Sequence, residues 1–129
     1  MSTTAEDTAT LSTRQRTKLR SRLVADHEAT ELLISRLASD LDSFQNSRKD
    51  APADDEHDPE GPTLAFERSQ SSAILGQTRV HLAQIESALE RIDSGTYGVC
   101  VTCRKPIPVA RLEVRPYSTQ CVGCASKVR

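Results

Sequence analysis

Four cysteines stand in two pairs, Cys100-x2-Cys103 and Cys121-x2-Cys124, with seventeen residues between the pairs. That is the spacing of a four-cysteine zinc site. A two-residue spacer turns both thiolates of one knuckle toward the same point, and a second knuckle completes a tetrahedral shell for one Zn2+ ion. With every ligand supplied by protein, no position stays open for water, so such a site is structural and not catalytic. The segment needs it: residues 96–129 are too few to build a core of their own, and metal–thiolate bonds take the core's place. Gly98 and Gly123 lie near the pairs where the backbone must turn tightly, whereas Arg104 follows Cys103 at a place where zinc knuckles often carry glycine.

Two other chemistries use similar residues. A thiol–disulfide oxidoreductase needs one C-x2-C beside a βαβ pattern, and no such pattern accompanies these pairs. A DNA reader is suggested by charge, since Arg104, Lys105, Arg111, Arg115, Lys127 and Arg129 face only Glu113 in the tail. Four thiolates with Zn2+ offset part of that charge. Neither a recognition-helix pattern nor an aromatic platform accompanies the rest, so sequence-specific DNA binding is not expected.

The elements that must carry this site are helical. Leu19, Leu23, His27, Thr30, Ile34, Leu37, Leu41 and Phe44 recur at steps of three and four, and neither glycine nor proline interrupts Ser12 to Arg48. A second stripe of Ile74, Thr78, Leu82, Ile85, Leu89 and Ile92 has the same period, with Pro62-Thr63 as a start and Asp93-Ser94-Gly95 as a stop. Each stripe is too narrow to stand alone, so the two are expected to bury each other as an antiparallel pair. His27 and His81 read as flank or seam residues of that pair. Between the helices, Asp50 to Pro62 holds six acidic residues, three prolines and a glycine, which is a loop at the tip of a projection. As a charge run it suits a solvated connector; as a tip it suits a contact with a partner, with Asp54, Asp55, Asp58 and Glu60 as the candidate contact residues.

Composition agrees with a thin core. Only 36% of the 129 residues are hydrophobic, Trp is absent and Phe and Tyr number two each, which favours long helices over an aromatic-packed β domain. Residues 1–11 are expected to be a disordered tail, 12–95 a helical hairpin or coiled coil with its acidic tip loop at 49–62, and 96–129 the zinc finger. The fold class is therefore mainly α. The longest aliphatic run, Leu32-Leu33-Ile34, is far short of a membrane span, and the opening MSTTAEDTAT has no export-signal pattern. A cytoplasmic location, with reduced thiols and no membrane partner, is expected.

Tyr97-Gly98-Val99-Cys100-Val101-Thr102-Cys103, Pro106-Ile107, Arg111-Leu112-Glu113-Val114-Arg115-Pro116 and Cys121-Val122-Gly123-Cys124 resemble the zinc-finger signature of the DksA/TraR family of bacterial transcription factors. The resemblance implies a non-enzymatic regulator that binds RNA polymerase core directly, inserting the hairpin into the secondary channel so that acidic tip residues approach the active centre. The family's tip motif Asp-x-x-Asp-x-Ala projects without gaps onto His57, Glu60 and Pro62, while Asp55 and Asp58 recover the two-carboxylate spacing with a shift. Its basic contacts to ppGpp project onto Gln84, Arg115 and Ala125, leaving Arg115 as the one candidate basic contact, so ppGpp binding is not expected. The alternative reading is a zinc-stapled coiled-coil adaptor whose tip docks another protein.

Overall fold

The computed structural model describes residues 11–49 and 61–127, with backbone alone for 44–49. Phe44 of the first stripe therefore has no described side chain, and Asp54, Asp55, Asp58 and Glu60 of the expected tip lie outside the described residues. Among the described residues four helices follow one another: α1 (Thr13–Lys49), α2 (Gly61–Ser94), α3 (Val109–Val114) and α4 (Val122–Ala125). Among the described residues the backbone forms no strand, and a lone antiparallel bridge joins Val99 to Pro106. The protein is mainly α, two long antiparallel helices followed by a small four-cysteine finger.

Both long helices end where their side chains can satisfy the free backbone groups. Ser12 and Gln15 form a reciprocal capping box before α1: the Gln15 amide donates to Ser12 Oγ at 3.1 Å, and the Ser12 amide donates to Gln15 Oε1 at 2.9 Å. Pro62 occupies the first turn of α2, where its missing N–H costs no helical bond. Gly95 ends α2 as expected: its φ of 83° is left-handed, its amide donates to Ile92 O, and the Thr96 amide donates back to Arg91 O at 2.9 Å. This pair of bonds is a Schellman motif, which needs glycine at that place.

The chain divides into two compact units, one of Met1–Glu28 with Ala83–Arg129 and one of Ala29–Leu82. In the first, Arg20 approaches Asp93 at 3.8 Å and His27 meets Glu86 at 3.0 Å. Seven residues forward on α1 match seven residues back on α2, which fixes their antiparallel register. Leu19 and Leu23 of α1 pack with Ile85 and Ala88 of α2, and Leu11, Tyr97, Cys100, Ile107 and Leu112 complete the same cluster. Leu11, read from sequence as the last residue of the tail, is thus buried, against Gly98 and the finger. A Cβ on Gly98 would come within 3.2 Å of Leu11 Cδ1, and its φ of 86° independently requires glycine.

In the second unit Thr30 and Leu75 are buried, with Ile34, Leu37, Leu41, Thr78 and Leu82 half-buried. From Leu19 to Leu41 the α1 stripe matches the sequence pattern. The α2 stripe does not in one place: Ile74 is 43% exposed and its neighbour Leu75 only 7%. Two adjacent apolar residues satisfied the period equally, and packing beside Ala38 and Leu41 selects Leu75. Thr78 is tolerated at the seam because its hydroxyl donates to Ile74 O at 2.7 Å.

Ile85→Asp is expected to destabilise the first unit by at least about 3 kcal/mol, since it places a carboxylate where the native side chain has no exposure. Leu37→Asp, at a half-buried position, should cost less. Thermal melts followed by circular dichroism check both; equal, small shifts would mean that Ile85 faces water.

Candidate metal centre

The first knuckle is held by a tight backbone reversal. Cys100 N–H donates to Lys105 O at 2.8 Å, Arg104 N–H donates to Cys100 O at 2.9 Å, and Ile107 N–H donates to Gly98 O at 2.7 Å. Arg104 closes this turn with φ 65°, a left-handed conformation that costs a non-glycine residue about 1 kcal/mol or more. The second knuckle lies at the start of α4, where Ala125 N–H returns to Cys121 O. Cross-bonds bring the two together. Val101 N–H donates to Thr119 O at 2.9 Å, Gln120 Nε2 to Thr102 Oγ1 at 2.8 Å, and Arg111 Nε to Gln120 O at 2.9 Å. Tyr97 ties the far side by donating its hydroxyl to Pro116 O at 2.7 Å, and burial pushes its pKa up to about 12 against the opposing pull of Arg91 and Arg22.

These bonds converge the sulfurs of Cys100, Cys103, Cys121 and Cys124 to within 4.8 Å of one another, with Cys103 Sγ 3.8 Å from Cys121 Sγ. None of the four is in a disulfide. A tetrahedron of thiolates around Zn2+ at ~2.3 Å has edges of about 3.8 Å, so the cluster fits the ion. Cys100 is buried and the other three are half-buried, which leaves the site enclosed by its own ligands. The finger binds one structural zinc, which supplies cross-links between the two knuckles and no chemistry on a substrate.

Charge explains why a cation belongs there. The amide of Cys103 points at Cys100 Sγ from 3.5 Å and is the main reason the Cys100 thiol is pulled down to about 6, outweighing its desolvation. Cys124 moves the other way, to about 12, because it holds a proton shared with the neighbouring Cys121 and Cys100 sulfurs. Zinc uptake requires Cys124 as a thiolate, so it should expel at least one proton at pH 7, and affinity should fall as pH falls. Calorimetry in two buffers of different ionisation enthalpy measures this; identical heats would exclude the proton release.

The structure places the remaining site residues unevenly. Arg115 is exposed, its guanidinium 5.7 Å from the centre of the Tyr117 ring. Gln84 is exposed as well, and Ala125 is half-buried. Sequence reading missed the shared core beneath the finger, because Tyr97, Ile107 and Leu112 stand among other apolar residues, such as Val99, Val101 and Val114, that the structure leaves exposed. It also passed over the Ser12-x2-Gln15 capping signal, which was legible.

Fold and centre together define a helical-hairpin zinc-finger protein. Residues 95–129 match the prokaryotic dksA/traR C4-type zinc finger, so the chain carries a zinc finger of the DksA/TraR family. The fold is similar to that of transcription factor DksA2 from Pseudomonas aeruginosa, with a TM-score of 0.74 and 23% identity over 89% of this chain and 83% of that one. The uncharacterized protein YteA of Bacillus subtilis (strain 168) is 35% identical over 99 residues, 71% of this chain and 41% of YteA. The RNA polymerase-binding transcription factor DksA of Caulobacter vibrioides (strain NA1000 / CB15N) is 44% identical over 41 residues, 32% of this chain and 29% of that protein. The chain thus spans less than half the length of these two curated relatives. No described helix is long and apolar enough to cross a membrane.

Proposed function

We infer that this protein is a cytoplasmic transcription regulator that acts by binding RNA polymerase core directly, without catalysis of its own. The observation that carries the reading is a DksA/TraR-family finger joined to a DksA2-like helical fold. A related finger occurs in a protein whose name states RNA polymerase binding. In finer detail, the helical pair enters the secondary channel and the carboxylates of Asp54, Asp55, Asp58 and Glu60 act near the active centre, while helices and finger supply most of the affinity. Cys100, Cys103, Cys121 and Cys124 hold the zinc that keeps the finger folded.

Retention of the full chain on immobilised core polymerase, followed by transcription with and without the protein, tests this. Retention together with changed transcript yield is the expected result; absence of retention overturns it and favours the adaptor reading. Binding of ppGpp around Arg115 is not expected, because Gln84 and Ala125 bring no charge to compensate a multiply charged phosphate ligand. Micromolar affinity by calorimetry, abolished by Arg115→Ala, would overturn that expectation.

A further inference from the structure

The opening of α1 breaks the local rules of helix stability. Arg14, Arg16, Lys18, Arg20 and Arg22 fall within its first ten residues, and no carboxylate occurs from Leu11 to Ala25. Cations belong near the other end of a helix dipole, and Arg14/Lys18, Lys18/Arg22 and Arg16/Arg20 are like charges one turn apart. Both effects destabilise the free protein. Two of the five side chains have partners: Arg20 approaches Asp93, and Arg22 Nη1 donates to the carbonyl of Glu113. Arg14, Arg16 and Lys18 are exposed and make no ion pair with a described residue. Such a conflict, not offset by an ion pair of these three with any described residue, marks a surface that is completed by something else.

The remaining exposed residues say what completes it. Between the cations stand Thr13, Thr17 and Ser21, all exposed, while Leu19 is buried. Apart from the half-buried Gln15, the exposed surface of this stretch thus presents guanidinium, ammonium and hydroxyl groups, the side chains that contact phosphates. It lacks the aromatic or aliphatic anchor on which a protein interface depends. It equally lacks the aromatic platform on which single-stranded bases stack. The surrounding unit keeps the field positive, for its described residues hold eleven lysines and arginines against six carboxylates and the double negative charge of four thiolates with Zn2+.

We propose that the Thr13–Arg22 stretch of α1 binds the phosphate backbone of duplex DNA, without reading its sequence, through Arg14, Arg16 and Lys18. Arg14 and Lys18 share one edge of the helix, about 6 Å apart along its axis, and Arg16 stands on the other, so the contacts grip a backbone and carry no base information. This goes beyond the polymerase reading. Its test contains no polymerase, so either can fail without the other.

Fluorescence anisotropy with the full-length zinc-loaded chain and a labelled random-sequence DNA duplex measures the contact at salt concentrations from 50 to 200 mM. The expected result is salt-sensitive binding, equal for unrelated sequences and weaker for the corresponding single strand. R14Q/R16Q/K18Q should weaken binding at 50 mM salt at least ten-fold and reduce the slope of log affinity against log salt by about 3, near 0.9 per lost phosphate contact. R36Q/R79Q, which removes arginines of the other unit, should bind like the parent. Removing like-charge repulsion should leave the triple variant's melting temperature and zinc content at least as high as the parent's, which separates lost contact from lost folding. Undetectable binding at 50 mM salt, a triple variant that binds like the parent, or preference for the single strand would overturn the proposal. Binding of polyglutamate as tight as that of the duplex would also overturn it, and would assign the surface to an acidic protein.

Discussion

Cys121→Ser is expected to abolish stoichiometric zinc binding and unfold residues 96–127, while most of the helical circular dichroism survives. A structural zinc contributes on the order of 10–16 kcal/mol in small fingers, far more than the finger's few buried side chains supply. Serine offers no thiolate, and a three-sulfur set leaves an open position that water or a chelator can enter. The loss should also reach the long helices. Leu11, Leu19 and Leu23 share one cluster with Ile107 and Leu112, so an unfolded finger strips the start of α1 of the packing these residues supply. Elemental analysis, the near-ultraviolet signal of Tyr97 and Tyr117, and thermal melts report these three consequences separately. Chelator titration of the parent should reproduce them. Stoichiometric zinc and an unchanged melt in the serine variant would show that the ion sits elsewhere.

How much of this was legible beforehand differs by kind of constraint. Covalent spacing was fully informative: two C-x2-C pairs specify a tetrahedral set, and their sulfurs converge to within 4.8 Å. Local backbone chemistry was nearly so, since Gly95 ends α2 with the left-handed φ that its place after Asp93-Ser94 suggested. Periodicity was weaker, because Ile74 and Leu75 satisfy the same stripe and only contact with α1 separates them. Long-range packing was hidden. Leu11 sits at the edge of a polar tail in the sequence, and nothing local announces that it fills the space beside Gly98, 87 residues later. The same limit applies to Arg104: its place after Cys103 was conspicuous, but its left-handed φ follows from bonds to Cys100 that form only when the knuckle closes.

The second large effect concerns the acidic segment between α1 and α2. Changing Asp54, Asp55, Asp58 and Glu60 together to D54N/D55N/D58N/E60Q should abolish the effect on transcription and keep much of the affinity for core polymerase. Exposed ion pairs contribute at most about 1 kcal/mol each, so four carboxylates meeting solvated cations would add little that the helices and finger do not already supply. In a confined channel beside a metal ion the same charges are weakly screened, and their removal is felt far more strongly. Affinity and effect therefore separate if the carboxylates act after docking. A charge-conserving variant, with each Asp changed to Glu and Glu60 to Asp, should keep part of the effect, because the field persists while the reach changes by one methylene. Retention on core polymerase and transcript yield, measured on the same preparations, distinguish three behaviours. Lost yield with retained binding supports action at the active centre. Joint loss of both would make the segment a docking element. A parent-like yield would reduce it to a connector, leaving the regulatory reading without its proposed mechanism.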